Sequence, residues 1–269
     1  MKYVVVTGAY GGMGSAVVDK LCAEGYFVFA LDKTVGEKRP SVMPIKVDLT
    51  DEQSVTDAFK AVSAVTDEVY SILHFAGIYM LDSLVEMSED AFIKAFNVNV
   101  FSAYRVNKIF LPLLKKGSRI VITTSELAPL DPLPFTGIYA ITKSALEKYA
   151  YSLRMELQLL GISVSVLRPG AVKTDMLGVS TTALERFCEN TALYKCNAER
   201  FKKIVDSVEA KNVSAKKIAK KTLKILSKKK PKPIYKINRN KLLLLLNILP
   251  KRLQLKIIKT ILKNKNQSK

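Results

Sequence analysis

Tyr139 and Lys143 lie four residues apart in the run Tyr139-Ala140-Ile141-Thr142-Lys143. On a helix that spacing puts them one above the other on the same face. An ammonium beside a phenol stabilises the phenolate, so Lys143 is expected to lower the pKa of Tyr139. Tyrosine ordinarily titrates near about 10, and a lowered value makes it an acid/base usable near neutrality. The chemistry expected is therefore proton transfer to or from an oxygen. Such pairs are also ordinary helix surface, so the reading needs a cofactor site and a hydroxyl able to hold a substrate oxygen.

The start of the chain supplies the cofactor site. Lys2 to Val6 is a short apolar run rich in β-branched residues, suited to a strand buried in a parallel sheet. It leads into Thr7-Gly8-Ala9-Tyr10-Gly11-Gly12-Met13-Gly14, then a helical pattern over Ala16, Val17, Leu21 and Ala23 that Gly25 ends. Tyr26 to Leu31 forms a second strand closing on Asp32. Strand, glycine turn, helix and strand form the unit that binds a dinucleotide. Glycines let the backbone approach a pyrophosphate, and the helix N-terminus offers free N–H groups and a positive dipole end. Asp32, 18 residues after Gly14, can accept both ribose hydroxyls of an adenosine, and its charge repels a 2′-phosphate. No Arg or Lys lies inside the loop, although Lys33 follows Asp32. NAD is the expected cofactor, with NADP as second choice.

Further strands are expected at Ile45 to Val47, Val69 to Phe75, Arg119 to Thr124 and Ile162 to Leu167. Thr50 is expected to cap the helix that follows Asp48-Leu49, and a long helical region over Asp90 to Leu114 is interrupted near Asn97-Val98-Asn99. The helix bearing Tyr139 and Lys143 runs to about Leu160 before Gly161. Strands alternating with helices predict an α/β fold, a Rossmann-type doubly wound parallel sheet with helices on both faces. Ligand sites then gather at the carboxyl ends of the strands, where these motifs fall.

With these residues in hand, the chain resembles the short-chain dehydrogenase/reductase family. Thr7-Gly8-x-x-x-Gly12-x-Gly14 looks like its cofactor loop, and Asp48-Leu49 like its adenine contact. Ser125, Tyr139 and Lys143 look like its active site, and Asn99 falls where the family keeps a structural and catalytic asparagine. Pro169-Gly170-Ala171-Val172-Lys173-Thr174 resembles its nicotinamide-side loop. The resemblance implies that Tyr139 is the acid/base, Ser125 holds the carbonyl oxygen, and Lys143 also grips the nicotinamide ribose. Asn99 would hold a water that links Lys143 to solvent. It implies cofactor contacts from Gly8, Gly12, Met13, Gly14, Asp32, Asp48, Leu49, Ala76, Gly77, Tyr139, Lys143, Pro169, Gly170, Val172 and Thr174. One departure stands out: His74-Phe75-Ala76-Gly77 replaces the usual Asn-Asn-Ala-Gly, so His74 is expected as a structural brace rather than a catalyst.

The net charge of +19 is unevenly placed. Twenty of the 43 Lys and Arg fall from Ala210 onward, where no Asp or Glu occurs, which leaves 23 bases against 24 acids before it. Residues 1–227 read as the catalytic domain, with an apolar lid at about 176–212 built on Met176, Leu177, Val179, Leu184, Phe187 and Leu193. Residues 228–269 read as a basic, Leu-rich tail. Its apolar stretch, Leu242 to Leu249, is far short of the roughly 20 residues a spanning helix needs. Leu253, Ile257, Ile258, Ile261 and Leu262 share one face of a basic amphipathic helix, a pattern that lies in a membrane interface. An anionic membrane surface is the expected partner; nucleic acid is not, because a backbone binder has no use for leucines. Tyr235 after its prolines, the leucines and Leu249-Pro250 also resemble retinol and 17β-hydroxysteroid dehydrogenase-like members, which implies a lipophilic alcohol or ketone.

Three cysteines without metal spacing and a single histidine argue against a metal site and for a reduced setting. No charged leader with an apolar run and cleavage site opens the chain, so a cytoplasmic protein, peripheral at the inner membrane face, is expected. The function expected is an NAD(P)-dependent oxidoreductase interconverting an alcohol and its ketone or aldehyde, and the family's pairing of long helices implies a homodimer or homotetramer. A nucleotide-sugar epimerase or dehydratase would space its glycines differently, and a non-catalytic, membrane-tethered NAD-binding protein would have no need of the four catalytic residues.

Overall fold

The computed structural model describes residues 1–173, 184–209 and 211–263. Seven strands form its central sheet: β1 (Lys2–Thr7), β2 (Tyr26–Asp32), β3 (Val42–Lys46), β4 (Ser71–His74), β5 (Arg119–Thr123), β6 (Ser163–Pro169) and a late strand, Ile234–Ile237. All pair in parallel in the order β3-β2-β1-β4-β5-β6 followed by Ile234–Ile237. The order reverses between β1 and β4, where Thr7 pairs with His74, and a crevice opens beyond their carboxyl ends.

Side chains alternate across the sheet with period two. Val5, Phe29, Ile72, Ile120 and Ile122 enter one apolar layer, under α2 (Glu52–Ser63), α4 (Ser102–Phe110) and α5 (Gly137–Leu157). Val4, Val6, Val28, Leu73 and Val121 enter the other, with Val17 and Leu21 of α1 (Gly12–Ala23) and Ile218 and Leu226 of α8 (Ala215–Leu226). Burial on both faces explains why the strands read as continuous apolar runs.

The interruption expected near Asn97 is a π-helical turn, Asn97–Phe101, between α3 (Glu89–Phe96) and α4. Extra-residue turns of this kind re-aim a side chain inside an otherwise regular helix, and here the residue placed is Asn99. At α2 the cap is Asp51 rather than Thr50: its carboxylate accepts from the Gln53 and Ser54 N–H groups. Thr50 instead donates its hydroxyl to Asp48.

After β6 come the two-residue strand β7 (Val172–Lys173), helical residues 184–190 (α6), α7 (Lys195–Glu209) and β8 (Val213–Ser214), which pairs with β7. Whereas the sequence places residues 228–269 outside the catalytic domain, Ile234–Ile237 (β9) is the seventh strand of its sheet. Tyr235 is buried there and its hydroxyl accepts from Lys232 N at 2.8 Å. The helices α9 (Lys241–Ile248) and α10 (Lys251–Leu262) then return toward α7, where Leu262 joins Leu184, Phe187, Ala198 and Phe201 in a satellite core.

Candidate active site

The cofactor end is built on the β1–α1 turn. Gly8 has φ +65, and a Cβ on it would lie 2.6 Å from Ala76 N; one on Gly14 would lie 1.9 Å from the Gly8 carbonyl oxygen. These two glycines therefore pack backbone to backbone, and both line the cleft together with Gly11, Gly12 and Met13. No acid stands in the first turn of α1 and no side chain caps its N-terminus, so its N–H groups are open to a pyrophosphate. Asp32 holds the rim, its two carboxylate oxygens accepting from Tyr10 N (2.9 Å) and Thr34 N (3.3 Å). Lys33 is paired with Asp48 at 3.0 Å, and Asp48 also accepts from Thr50. Asp32, Asp48, Leu49, Ala76 and Gly77 all line one cavity of about 460 Å³. The open helix end, the carboxylate rim and the apolar slot beside Val47 and Leu49 fit a dinucleotide.

That cavity shares Met13, Phe75, Gly77 and Ile78 with a smaller one of about 190 Å³, so the two form one cleft. The smaller end contains Ser125, Tyr139 and Lys143, together with Pro169, Gly170 and Val172. Thr174 lies outside the described residues, as do Met176, Leu177 and Val179 of the lid. Among the described lid residues, Leu184 and Phe187 pack in the satellite core and Leu193 is exposed. The apolar wall of the smaller cavity comes from Phe201, Ile204 and Val205 of α7 and from Leu243 of α9.

Tyr139 and Lys143 share the inner face of α5, with the ammonium 5.7 Å from the ring centroid. Ser125, just beyond β5, lines the same pocket as Tyr139, and Lys143 Nζ donates to the Thr123 carbonyl at 3.4 Å. The electrostatics correct the expectation from sequence. Burial lifts Tyr139 to about 12, with Ser125 working downward and the Glu126 carboxylate upward; Lys143 is not among the groups acting on it. Burial also brings Lys143 down to about 8. Desolvation opposes the charged form of each group, and it is the leading cause at both. The Thr123 hydroxyl is buried in the same wall without a partner among the described residues.

Asn99 is buried, and its side chain is almost fully used. Its Oδ1 accepts from Ile78 N at 2.8 Å, while its Nδ2 donates to Ile78 O and to Thr142 Oγ1, both at 3.0 Å. It ties the strand-end loop to α5, one residue from Lys143, and a Cβ on Gly77 would touch both Asn99 Oδ1 and Lys143 Nζ. The side chain is thus a positioning group with acceptor capacity left on Oδ1. His74 is a brace, as expected: its Nε2 donates to Asn107 Oδ1 at 2.8 Å and burial lowers its pKa to about 4, so it is neutral. Asn107 in turn donates to the Tyr149 hydroxyl at 3.1 Å.

Sequence reasoning missed four contributors. Thr142 sits inside the Tyr-x-x-x-Lys run and receives Asn99. Glu147, one turn beyond Lys143, binds Arg168 at the end of β6 and fixes α5 against the sheet. Tyr79 meets Tyr139 edge-on with centroids 4.6 Å apart. Glu126 is a buried carboxylate beside Ser125 whose pKa is raised by burial, and it accepts from Asn240 N at 2.6 Å. Glu126 alone left a signal, an acid at a strand end directly after the candidate serine.

Comparison with known proteins bears on the family and the fold. Residues 2–185 match the family described as short chain dehydrogenase. A probable short-chain type dehydrogenase/reductase, VdlC, of Helicobacter pylori strain J99 is 30% identical over 246 residues, covering 90% of each chain. Estradiol 17-beta-dehydrogenase 2 of Mus musculus is 33% identical over 193 residues, 66% of this chain and 50% of that protein. A short chain dehydrogenase family protein from Francisella tularensis shares the fold with a TM-score of 0.74 over 88% of this chain and 97% of its own, at 24% identity.

Proposed function

This chain belongs to the short-chain dehydrogenase family of oxidoreductases, and within it we propose that the protein interconverts a lipophilic alcohol and its ketone or aldehyde with NAD as preferred cofactor. The observation that carries the reading is the cluster of Ser125, Tyr139 and Lys143 facing the apolar side chains Phe201, Val205 and Leu243 across one pocket.

A nicotinamide dinucleotide, when bound, supplies the two-electron acceptor or donor. Gly11, Gly12 and Met13 would hold its pyrophosphate and Asp32 its adenosine ribose; with Lys33 engaged by Asp48, little welcomes a 2′-phosphate, which supports NAD over NADP. Ser125 Oγ–H donates to the substrate oxygen as charge develops on it. Tyr139 Oη–H gives its proton to that oxygen in reduction and takes one in oxidation. As a phenol at neutral pH, Tyr139 is set to donate, so reduction proceeds through neutrality and oxidation gains as pH rises. Lys143 and Asn99 keep the phenol and the loop in register.

The apolar wall supports a substrate with little polarity beyond its reacting oxygen, as does the likeness to a protein named for estradiol. Exposed Phe101, Tyr104, Tyr151 and Met155 on and beside α4 and α5 support pairing of those helices in a homodimer or homotetramer. Intact Asn99, Ser125, Tyr139 and Lys143 weigh against a purely NAD-binding role. A screen of steroid, retinoid and long-chain alcohols and carbonyls with NAD(H) and NADP(H), read by nicotinamide absorbance, tests the reading. Turnover of an apolar substrate, faster with NAD(H), is the expected result; turnover of only small polar substrates would overturn the substrate class.

A further inference from the structure

The helices α9 and α10 expose an apolar stripe that the fold leaves unburied. Leu242, Leu245 and Ile248 recur every third residue along α9 and are 70%, 60% and 79% exposed. Leu253, Leu255 and Ile261 of α10 are also exposed, whereas Ile258 and Leu262, which the sequence reads as part of a membrane-facing side, turn inward to the satellite core. Large aliphatic side chains concentrated in this way mark an interaction surface. Arg239, Lys241, Arg252, Lys256 and Lys259 stand exposed in the same segment. No Asp or Glu follows Glu209 in the sequence.

We propose that α9 and α10 dock the protein on an anionic lipid surface and that the docked face feeds the catalytic pocket. Aliphatic side chains entering the acyl boundary, with cations at the level of acidic headgroups, are what an interfacial helix requires. Among the described residues no helix is long and apolar enough to cross a membrane, so attachment is to one face. A second copy is the weaker occupant: an isologous contact would set these cations against themselves, with no acid on the segment to offset them.

The link to catalysis is direct. Leu243 lines the catalytic pocket while its neighbour Leu242 lies in water. Asn240, which caps α9, donates its N–H to Glu126, the residue after Ser125. Farther along α9, Asn247 Oδ1 accepts from Asp131 N at 2.7 Å, and Lys251 pairs with Asp131. The stripe is therefore fastened to the loop that carries the carbonyl-holding serine. Feeding of the pocket rests on the lipophilic-substrate reading above; docking stands without it.

The test is flotation of the full chain with phosphatidylcholine vesicles, with and without phosphatidylglycerol. The wild type is expected to float at least tenfold more with the anionic vesicles. Leu245→Glu/Ile248→Glu and Lys256→Glu/Lys259→Glu are each expected to cut that binding at least tenfold, while a short water-soluble substrate turns over within twofold of wild type. With a long-chain alcohol carried in anionic vesicles, turnover is expected to fall several-fold in both variants. No flotation of the wild type, or equal flotation with neutral vesicles, would overturn docking. A change from dimer to monomer in Leu245→Glu/Ile248→Glu would assign the stripe to a second copy instead. Docking without turnover of any alcohol would overturn the oxidoreductase reading and the feeding role, and leave docking intact. Equal turnover of the vesicle-borne alcohol in all variants would overturn feeding alone.

Discussion

The two walls of the pocket proposed as catalytic are built in opposite ways. One is polar, buried and cross-braced: Lys143 to Thr123, Asn99 to Ile78 and Thr142, Glu147 to Arg168. It stands on strand ends and on α5, whose positions the sheet dictates. The other is aliphatic and aromatic, drawn from α7 and α9, and holds its place through the satellite core and a few ties to the Glu126–Asp131 loop. A braced polar wall fixes which bond is made or broken, because misplacing a proton donor by an ångström is costly. An apolar wall sets only what fits, and each lost methylene there costs about 1–3 kcal/mol of discrimination. Perturbing the two walls should therefore give different kinetic signatures.

The largest effect is expected on the polar wall. Lys143→Met should lower turnover by roughly a hundredfold or more. The same change should raise the stability of the cofactor-free protein at pH 7. Burial depresses the Lys143 pKa to about 8, below its unfolded value near 10.5, so the unfolded chain binds more protons between those values and wild-type stability rises with pH there. The charged lysine is thus a cost below about pH 8 that Met removes, worth roughly 1–3 kcal/mol and shrinking as pH climbs toward 10.5. Thermal melting of both proteins across pH 7 to about 10.5 checks the sign; a variant less stable at pH 7 would mean that the Thr123 bond outweighs the desolvation.

Leu243→Ala, on the apolar wall, should raise KM for an apolar alcohol about tenfold and leave kcat within a few-fold. An equal fall in kcat would show that the two walls are not independent. At the cofactor rim, Asp32→Ser should shift the NAD-to-NADP preference in kcat/KM by about tenfold toward NADP, as expected when a charge that repels a 2′-phosphate is removed. The smallest effect belongs to Glu126→Gln. It removes the carboxylate that pushes Tyr139 upward, so the pH at which oxidation accelerates should fall, by less than about one pH unit, with reduction at neutral pH unchanged.

How much of this was legible follows the same division. Ser125, Tyr139 and Lys143 could be read because a strand end and one turn of helix bring them together through short spacings that secondary structure alone fixes. The glycine turn and Asp32 meet at one cleft for the same reason, and Gly8 and Gly14 line it while packing tightly against Ala76 and the turn itself. Thr142, Glu147 and Glu126 were not, since their partners Asn99, Arg168 and Asn240 arrive from elsewhere in the chain. The strand Ile234–Ile237 was hidden because its four residues sit among lysines and prolines, and only the open edge of β6 makes them a strand. The rise of Tyr139 to about 12 was missed because spacing reports the neighbouring charge and says nothing of the depth of burial.

The central claim is that Tyr139 transfers the proton, and Tyr139→Phe tests it most directly because it removes one oxygen and keeps the ring against Tyr79. Single-turnover kinetics on an apolar carbonyl with NADH, beside a titration of cofactor binding, should show the rate down by roughly 10²–10⁴-fold with binding within about twofold, since the contacts assigned to the pyrophosphate and adenosine ribose lie elsewhere. A variant that binds the cofactor and still turns over within a few-fold of wild type would contradict the assignment.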